Sequence, residues 1–473
     1  GKMITVDGVL SPAGGIAARI TVGFTQYLPT TQVLTGSKVN TEYTKFTVTP
    51  KDLSGGITQQ WNITNNGFLQ RPPVTISGSE GGAWKKLKTA VHAAEDGDII
   101  SISGTITATN TGSSSNANFG NIDIKKNITI EKAAGASSAV LNANRGSLGS
   151  NAHPIFRVSD GKTLKLKNLT LKGGKGISGT FGGAINVTGG GSKTELEDCV
   201  IEDCEADKGG AIGCGSGTTV TLTNTTIQNC KTTGTNGTGG AIYTEGGTVT
   251  MTSGTLTGNT AKSGGGVYIS DYNSTPRSLF TLNGGTVSYN TAKNGGGITA
   301  FGDFNMDGGS IEENTATGDN DASLNLGTGG GIDLVAATMN MTGGEIKNNH
   351  AKRGGGVSIG LSGARDAVFN MSGGTISRNT LDSSGTGKGA GVEFFTESTE
   401  HGGIHYYTIM KMSGSAKVDT NNDVYLNNSR MITVDGELTG TAPVACITPK
   451  NYSAGLRVLD GSKVGTEYGK FSV

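Results

Sequence analysis

Apolar residues alternate with polar ones over short runs, and the runs themselves recur along the chain. FTLN from Phe280, FNMD from Phe304, MNMT from Met339 and FNMS from Phe369 are preceded by VTLT from Val220 and VTMT from Val249. Alternation with period two buries one face of a strand and leaves the other wet. A second run follows each, with one apolar residue between polar ones: TVS from Thr286, SIE from Ser310, EIK from Glu345, TIS from Thr375. A third follows a glycine cluster: AIYT from Ala241, GVYI from Gly266, GITA from Gly297, GIDL from Gly331, GVSI from Gly356 and GVEF from Gly391. No single unit is long enough to bury a core, so the units must stack along an axis. The pattern predicts an all-β chain, a right-handed parallel β-helix solenoid with three short strands per coil.

Between the second and third runs stand NTAKSGGG from Asn259, NTAKNGGG from Asn290 and NHAKRGGG from Asn349. Each coil must turn there within a few residues without striking the next, which calls for glycine. Asn229, Asn259, Asn290, Asn314, Asn349 and Asn379 are expected to occupy one turn slot and form a structural ladder of amides. Cys204 and Cys230 are expected in the neighbouring slot, the one Thr260, Thr291, Thr315, His350 and Thr380 fill, as a stacked pair of free thiols.

An open end of such a stack exposes strand edges and needs a cover. Residues 83–95 carry Trp84, Leu87, Ala90, Val91 and Ala94 on one helical face and lead into a strand, which predicts an N-terminal amphipathic capping helix. Met3 to Val48 and Met431 to Val473 align almost throughout, sharing ITVDG and a GSKV-TEY-KF core. The expected organisation is a β module at 1–50, a linker at 51–81 anchored by Trp61, a β-helix at 82–428, and a second copy of the module at 429–473 closing it. The duplication further suggests a slice of a longer protein.

Composition narrows function by exclusion. The 473 residues include 80 glycines but only nine prolines, and 38 basic residues balance 38 acidic ones. A zero net charge gives no electrostatic argument for nucleic acid or an anionic membrane. No run of 18 apolar residues is present, so no membrane-spanning helix is expected. The five cysteines lack the CxxC spacing of a zinc site, and no compact Asp cluster suggests calcium.

GGAI at Gly182, Gly209 and Gly239, together with FTLN at Phe280, resembles the GGA(I/L/V) and FxxN repeats of polymorphic outer membrane protein passengers. The GGTIS and NTA–GGGV units are similar to repetitive surface proteins of spirochaetes and gut anaerobes. The likeness covers roughly residues 82–428. It implies a β-helix, a bacterial surface or secreted setting, and adhesion or display, with no catalytic residues to carry over.

Candidate chemistry falls on the third strand and the loops after it. Asn186, Gly213, Tyr243, Tyr268, Thr299, Asp333, Ser358 and Glu393 are expected to form one exposed column. Tyr243 and Tyr268 suit a sugar ring or each other. Asp333 and Glu393 fall two coils apart, near the upper carboxylate spacing of inverting glycosidases. A wet sheet face with mixed polar residues explains the same column. Ser358 sits in a formal G-x-S-x-G, but a nucleophile elbow needs a strand–turn–helix frame. Insertions from Ser270, Gly360 and Phe395 are expected on one edge, bringing Arg365, Asp366, Glu397, Glu400, His401, His405, Tyr406 and Tyr407 toward Glu393. Thr221, Thr250, Thr281, Asn305, Asn340 and Asn370 form a further outward column, and Lys262, Lys293 and Lys352 a basic corner.

The function expected is therefore non-catalytic: a monomeric surface segment presenting a rigid face to a glycan or to a host or neighbour-cell surface protein. The ligand-binding candidates are Tyr243, Tyr268, Asp333, Ser358, Glu393, His401, His405 and Tyr406. No cofactor or metal is expected. A carbohydrate-active enzyme using Asp333, Glu393 and Arg365 is the alternative, and calcium enters only there, for a lyase. A purely structural stalk, with the module joining successive rods, is the third reading.

Overall fold

The computed structural model describes residues 3–12, 15–22, 31–49, 51–53, 57–59, 61–70, 74–112, 117–177, 179–271, 276–318, 327–382, 388–396, 398–428 and 430–473. Long parallel sheets dominate them. One sheet runs from Val74–Ser77 to Leu459–Asp460, a second from the latter half of Ile99–Thr107 to Lys417–Val418, and a third, of 13 strands, from Ile122–Ile124 to Phe471–Ser472. The chain visits them in turn. Thr219–Thr223, Thr225–Gln228 and Ile242–Glu245 make one coil, and Thr248–Met251 starts the next, parallel to the first strand of the last. The result is an all-β parallel solenoid.

The alternating runs fall into register. Val220, Val249, Phe280, Phe304, Met339, Phe369 and Met410 are successive partners, and every one is fully buried. Like side chains therefore sit on like, with Phe280 and Phe304 stacked at 5.6 Å. On the outer face the amides of Asn305, Asn340 and Asn370 hydrogen-bond in series at 2.9 Å.

Two glycines make the corner before the third strand from Gly182–Gly183 to Gly354–Gly355, and at the next corner Ala390 follows Gly389. Gly295 has φ +57°, which a side chain rarely adopts. A Cβ on Gly296 would stand 2.5 Å from the Gly330 carbonyl oxygen of the next coil. One glycine turns the chain and the other lets the coils touch.

The amide ladder is buried, with five of its six expected rungs in place and Asn229 displaced. It runs Asn259, Asn290, Asn314, Asn349, Asn379 and then Asn422. In each of the first five the Nδ2 donates to the next Oδ1 and to a strand carbonyl of the previous coil; Asn314 gives 3.0 and 2.9 Å. Asn229 is not a rung. It is the residue before, in the left-handed conformation at φ 54°, as are Tyr289, Glu313, Asn348 and Arg378. Cys230 takes the rung position, its N–H donating to Asn259 Oδ1 at 2.9 Å, and Cys204 stacks before it. The two thiols thus line the asparagine slot and not the threonine slot. All five cysteines are free, and burial raises the Cys199 and Cys214 thiols to about 11. After the rungs, Thr291–Ala292, Thr315–Ala316, His350–Ala351 and Thr380–Leu381 form a fourth, narrow parallel sheet beyond the three strands expected. Replacing Asn349 by alanine orphans buried partners on both sides, and should lower stability by about 2 kcal/mol in chemical denaturation.

The cap is the helix Ala83–Ala93, which buries Ala83, Trp84, Leu87 and Val91. Trp84 Nε1 donates to the Gly120 carbonyl at 2.9 Å, and Asn118 Oδ1 accepts the Lys85 N–H at the helix start. The segment expected as a linker is more structured than that. Val74–Ser77 already pairs with Ile99–Thr107, and Trp61, Ile63 and Leu69 complete the core of the first module with Leu34, Val39 and Phe46. The second module continues the stack: Ile432–Thr433 pairs with Met410–Lys411, and Ala445–Pro449 with Asp423–Leu426.

Candidate functional site

The third-strand column has the expected register, Asn186, Gly213, Tyr243, Tyr268, Thr299, Asp333, Ser358 and Glu393 being successive partners. It is not exposed. Asn186, Tyr243, Thr299, Asp333, Ser358 and Glu393 are all buried. The glycine corner is the cause. It folds the preceding residue back over the outer face of the strand, so Phe181, Lys208, Thr238, Ser263 and Asn294 make a second row bridged coil to coil. Gly213 shows the closeness, since a Cβ there would meet the Phe181 Cβ at 2.2 Å.

This cover disposes of the paired acids. Glu393 is wholly buried beneath Arg353, whose Nε donates to Oε1 at 2.9 Å. The guanidinium in turn lies 4.6 Å from the Phe395 ring centroid. Burial raises the Glu393 pKa, opposed by Arg353 and assisted by Asp423. Asp333 is pushed up to about 7 by burial, with the Thr328 and Ser358 side chains pulling the other way. Ser358 stands between the two acids on the intervening strand. Arg365 does not approach Glu393. It pairs with Asp303 at 3.2 Å and Asp271 at 3.5 Å.

Tyr243 and Tyr268 stack on each other at 5.8 Å and 15°, with Phe181 and Phe301 tilted at either end. Their faces are occupied, so a sugar would meet ring edges. Lys208 Nζ sits 4.9 Å from the Tyr243 ring centroid, and the Tyr243 hydroxyl donates to Glu245 at 2.5 Å. Burial raises Tyr268 to about 12. Alongside runs a groove of about 680 Å³, lined by Lys208, Glu245, Tyr268, Asp271 and Arg365 among others. Asp271 is raised by burial although Arg277 lies against it.

The remaining candidates sit on a hairpin. Ser398–His401 pairs antiparallel with the start of Ile404–Met412, leaving His401 and His405 exposed and Tyr406 half-buried. Its base contacts the loop after Gly360: Thr399 Oγ1 donates to the Gly363 carbonyl, and the Tyr407 N–H to Asp366. Glu397 lies outside the described residues. Among the described residues no group of three metal-ligating side chains converges, and no helix is long and apolar enough to cross a membrane.

Lys208, Glu245, Asp271 and Asp303 escaped the sequence reading. They lie on corners or strand ends, one position outside the alternating pattern. The signal available was the place of Lys208 directly before a GGAI glycine pair. Fold and groove together define a class, a parallel β solenoid whose outer strand face is sealed by its own corners and flanked by a charged groove. No protein-family model, curated protein or solved structure matches the chain.

Proposed function

We propose that the chain is part of a right-handed parallel β-helix displayed at a bacterial surface or secreted, which binds a glycan in the groove without cleaving it. The resemblance of its GGAI repeats to polymorphic outer membrane protein passengers supports that setting. The observation that carries the binding role is the groove itself. Opposite charges and the edge of an aromatic stack converge there on a rigid wall, the arrangement by which a polar ligand is oriented. The acids an enzymatic reading requires are instead covered, Glu393 by an ion pair and Asp333 by its corner.

Retention on a panel of acidic and neutral polysaccharides tests this, with new reducing ends and unsaturated products followed in parallel. Retention without cleavage is expected, falling at least about tenfold in a Lys208→Ala, Glu245→Gln variant, as loss of two charge-assisted contacts implies. Cleavage abolished by Asp333→Asn or Glu393→Gln would overturn the proposal in favour of an enzyme.

A further inference from the structure

The groove beside the tyrosine stack draws its lining from two places. Lys208 and Thr238 come from the corner row, while Asp271 and Arg365 come from the insertions after the third strand. Tyr268, Phe301 and Ala336 complete it, each from a different coil. The coils that contribute run from the third strand at Gly213 to the one at Ser358, through Tyr243, Tyr268, Thr299 and Asp333. Five strand steps extend the groove about 24 Å along the rod axis. A ligand that fills it is a chain, not a single sugar.

Its charges are closed among themselves. Arg277 and Arg365 alternate with Asp271 and Asp303. Arg277 Nε meets Asp303 at 3.1 Å and its Nη1 meets Asp271, while Arg365 meets Asp303 at 3.2 Å and Asp271 at 3.5 Å. At the other end Lys208 Nζ donates to the Tyr243 hydroxyl at 3.3 Å, and that hydroxyl donates to Glu245 at 2.5 Å. Cations and anions are equal in number, each facing its opposite directly or through the tyrosine. A carboxylate or sulfate laid here would meet Glu245 or Asp271 as readily as Lys208 or Arg365, so net charge on the ligand gains nothing.

Hydrogen-bonding capacity is left over. Asp271 Oδ1, Thr238 Oγ1 and Arg365 Nη1 have no hydrogen-bond partner, and all three are closed to water. A ligand group that reaches them displaces no water, so each bond it makes counts nearly in full. Asp271 asks for a donor, Arg365 for an acceptor, and Thr238 takes either. Adjacent hydroxyls of one sugar supply both kinds. We propose, on the reading that the groove binds a glycan, that its ligand is a neutral, hydroxyl-rich polysaccharide lying along the rod axis. A slight turn of the partly exposed Asp271 and Arg365 side chains brings their free atoms to a vicinal diol of an interior sugar, and Thr238 takes a further hydroxyl.

The test measures binding of the whole chain to matched polymers: galacturonan, mannuronan and hyaluronan, each against its own carboxyl-reduced form, in which every uronate has become a neutral hexose. The neutral member of at least one pair should bind at least about tenfold more tightly than its acidic parent, with little change on adding salt. A hexasaccharide of that polymer should displace it at least about tenfold better than the free monosaccharide. Asp271→Asn should weaken binding at least about tenfold, since it removes a charged acceptor. Thr238→Val breaks no ion pair and should weaken it at least about threefold, which keeps the test open if Asp271→Asn fails to fold. Equal binding within every pair, or a preference for the uronate that salt abolishes, would overturn the inference and leave the groove a glycan site. Displacement by the monosaccharide as good as by the hexasaccharide would overturn the axial chain, and unaltered binding in both variants the diol. Retention on no polymer at all would overturn the glycan reading itself, and this inference with it.

Discussion

Arg353→Met is expected to destabilise the protein by about 3–5 kcal/mol, the usual consequence of stripping one partner from a buried ion pair. The reason is local. Glu393 has no exposed surface, its Oε2 already lacks a hydrogen-bond partner, and Arg353 is the cation that compensates it. Without that cation the carboxyl must take up a proton or remain charged in an apolar wall, and either state is costly. Arg353→Leu combined with Glu393→Leu should recover most of the loss, because a matched apolar pair removes the desolvation problem. Chemical denaturation of the three proteins provides the comparison, with hydrogen exchange at Val392–Phe394 locating the effect. A single substitution costing under about 1 kcal/mol, the range of an exposed pair, would show that Arg353 is merely a surface partner.

Asp333 should make stability fall as pH rises. Its carboxyl titrates near 7 in the fold against the ordinary 3.8, so between those values the folded chain holds a proton that the unfolded chain has released. Stability is then greatest below about 4, declines through the interval, and levels off above about 7. The loss accumulates to about 4 kcal/mol for one group shifted by this much. Other carboxyls contribute slopes of their own, so the informative quantity is the difference from Asp333→Asn. That variant keeps the shape and hydrogen-bonding capacity of the side chain but carries no charge. It should match the parent at pH 4 and exceed it at pH 8. Parallel denaturation curves across that range would show instead that water reaches the carboxylate.

Much of this architecture is legible in the residues, and the errors have physical causes. The inward column from Val220 to Met410 follows from period-two alternation, because only one phase buries the phenylalanines and methionines. The glycine corners follow from the need for positive φ and for contact between coils. The ladder is misread at Asn229 because QNCK aligns by eye with its asparagine, whereas the backbone places that asparagine in the left-handed position and the cysteine inside. The third-strand column has the register the repeats imply, but its cover is invisible to any strand pattern. The covering residues, Lys208 and Arg353 among them, are neighbours in sequence that become an outer layer only when the chain doubles back. Loop proximity points Arg365 toward Glu393, yet Asp303 and Asp271 meet it first.

The sameness of the coils carries a further consequence. Sliding the Asn259–Asn422 half of the rod by one repeat would leave amide facing amide and phenylalanine or methionine facing its like, so neither the ladder nor the core distinguishes the native frame from its neighbours. The irregular contacts make that choice. Arg353 finds Glu393 on the next coil in the native alignment, whereas a chain slipped onward by one repeat would set it against Tyr425, a strand position without an acid. An ion pair that adds little net stability thereby acts as the phase mark of an otherwise translationally degenerate lattice.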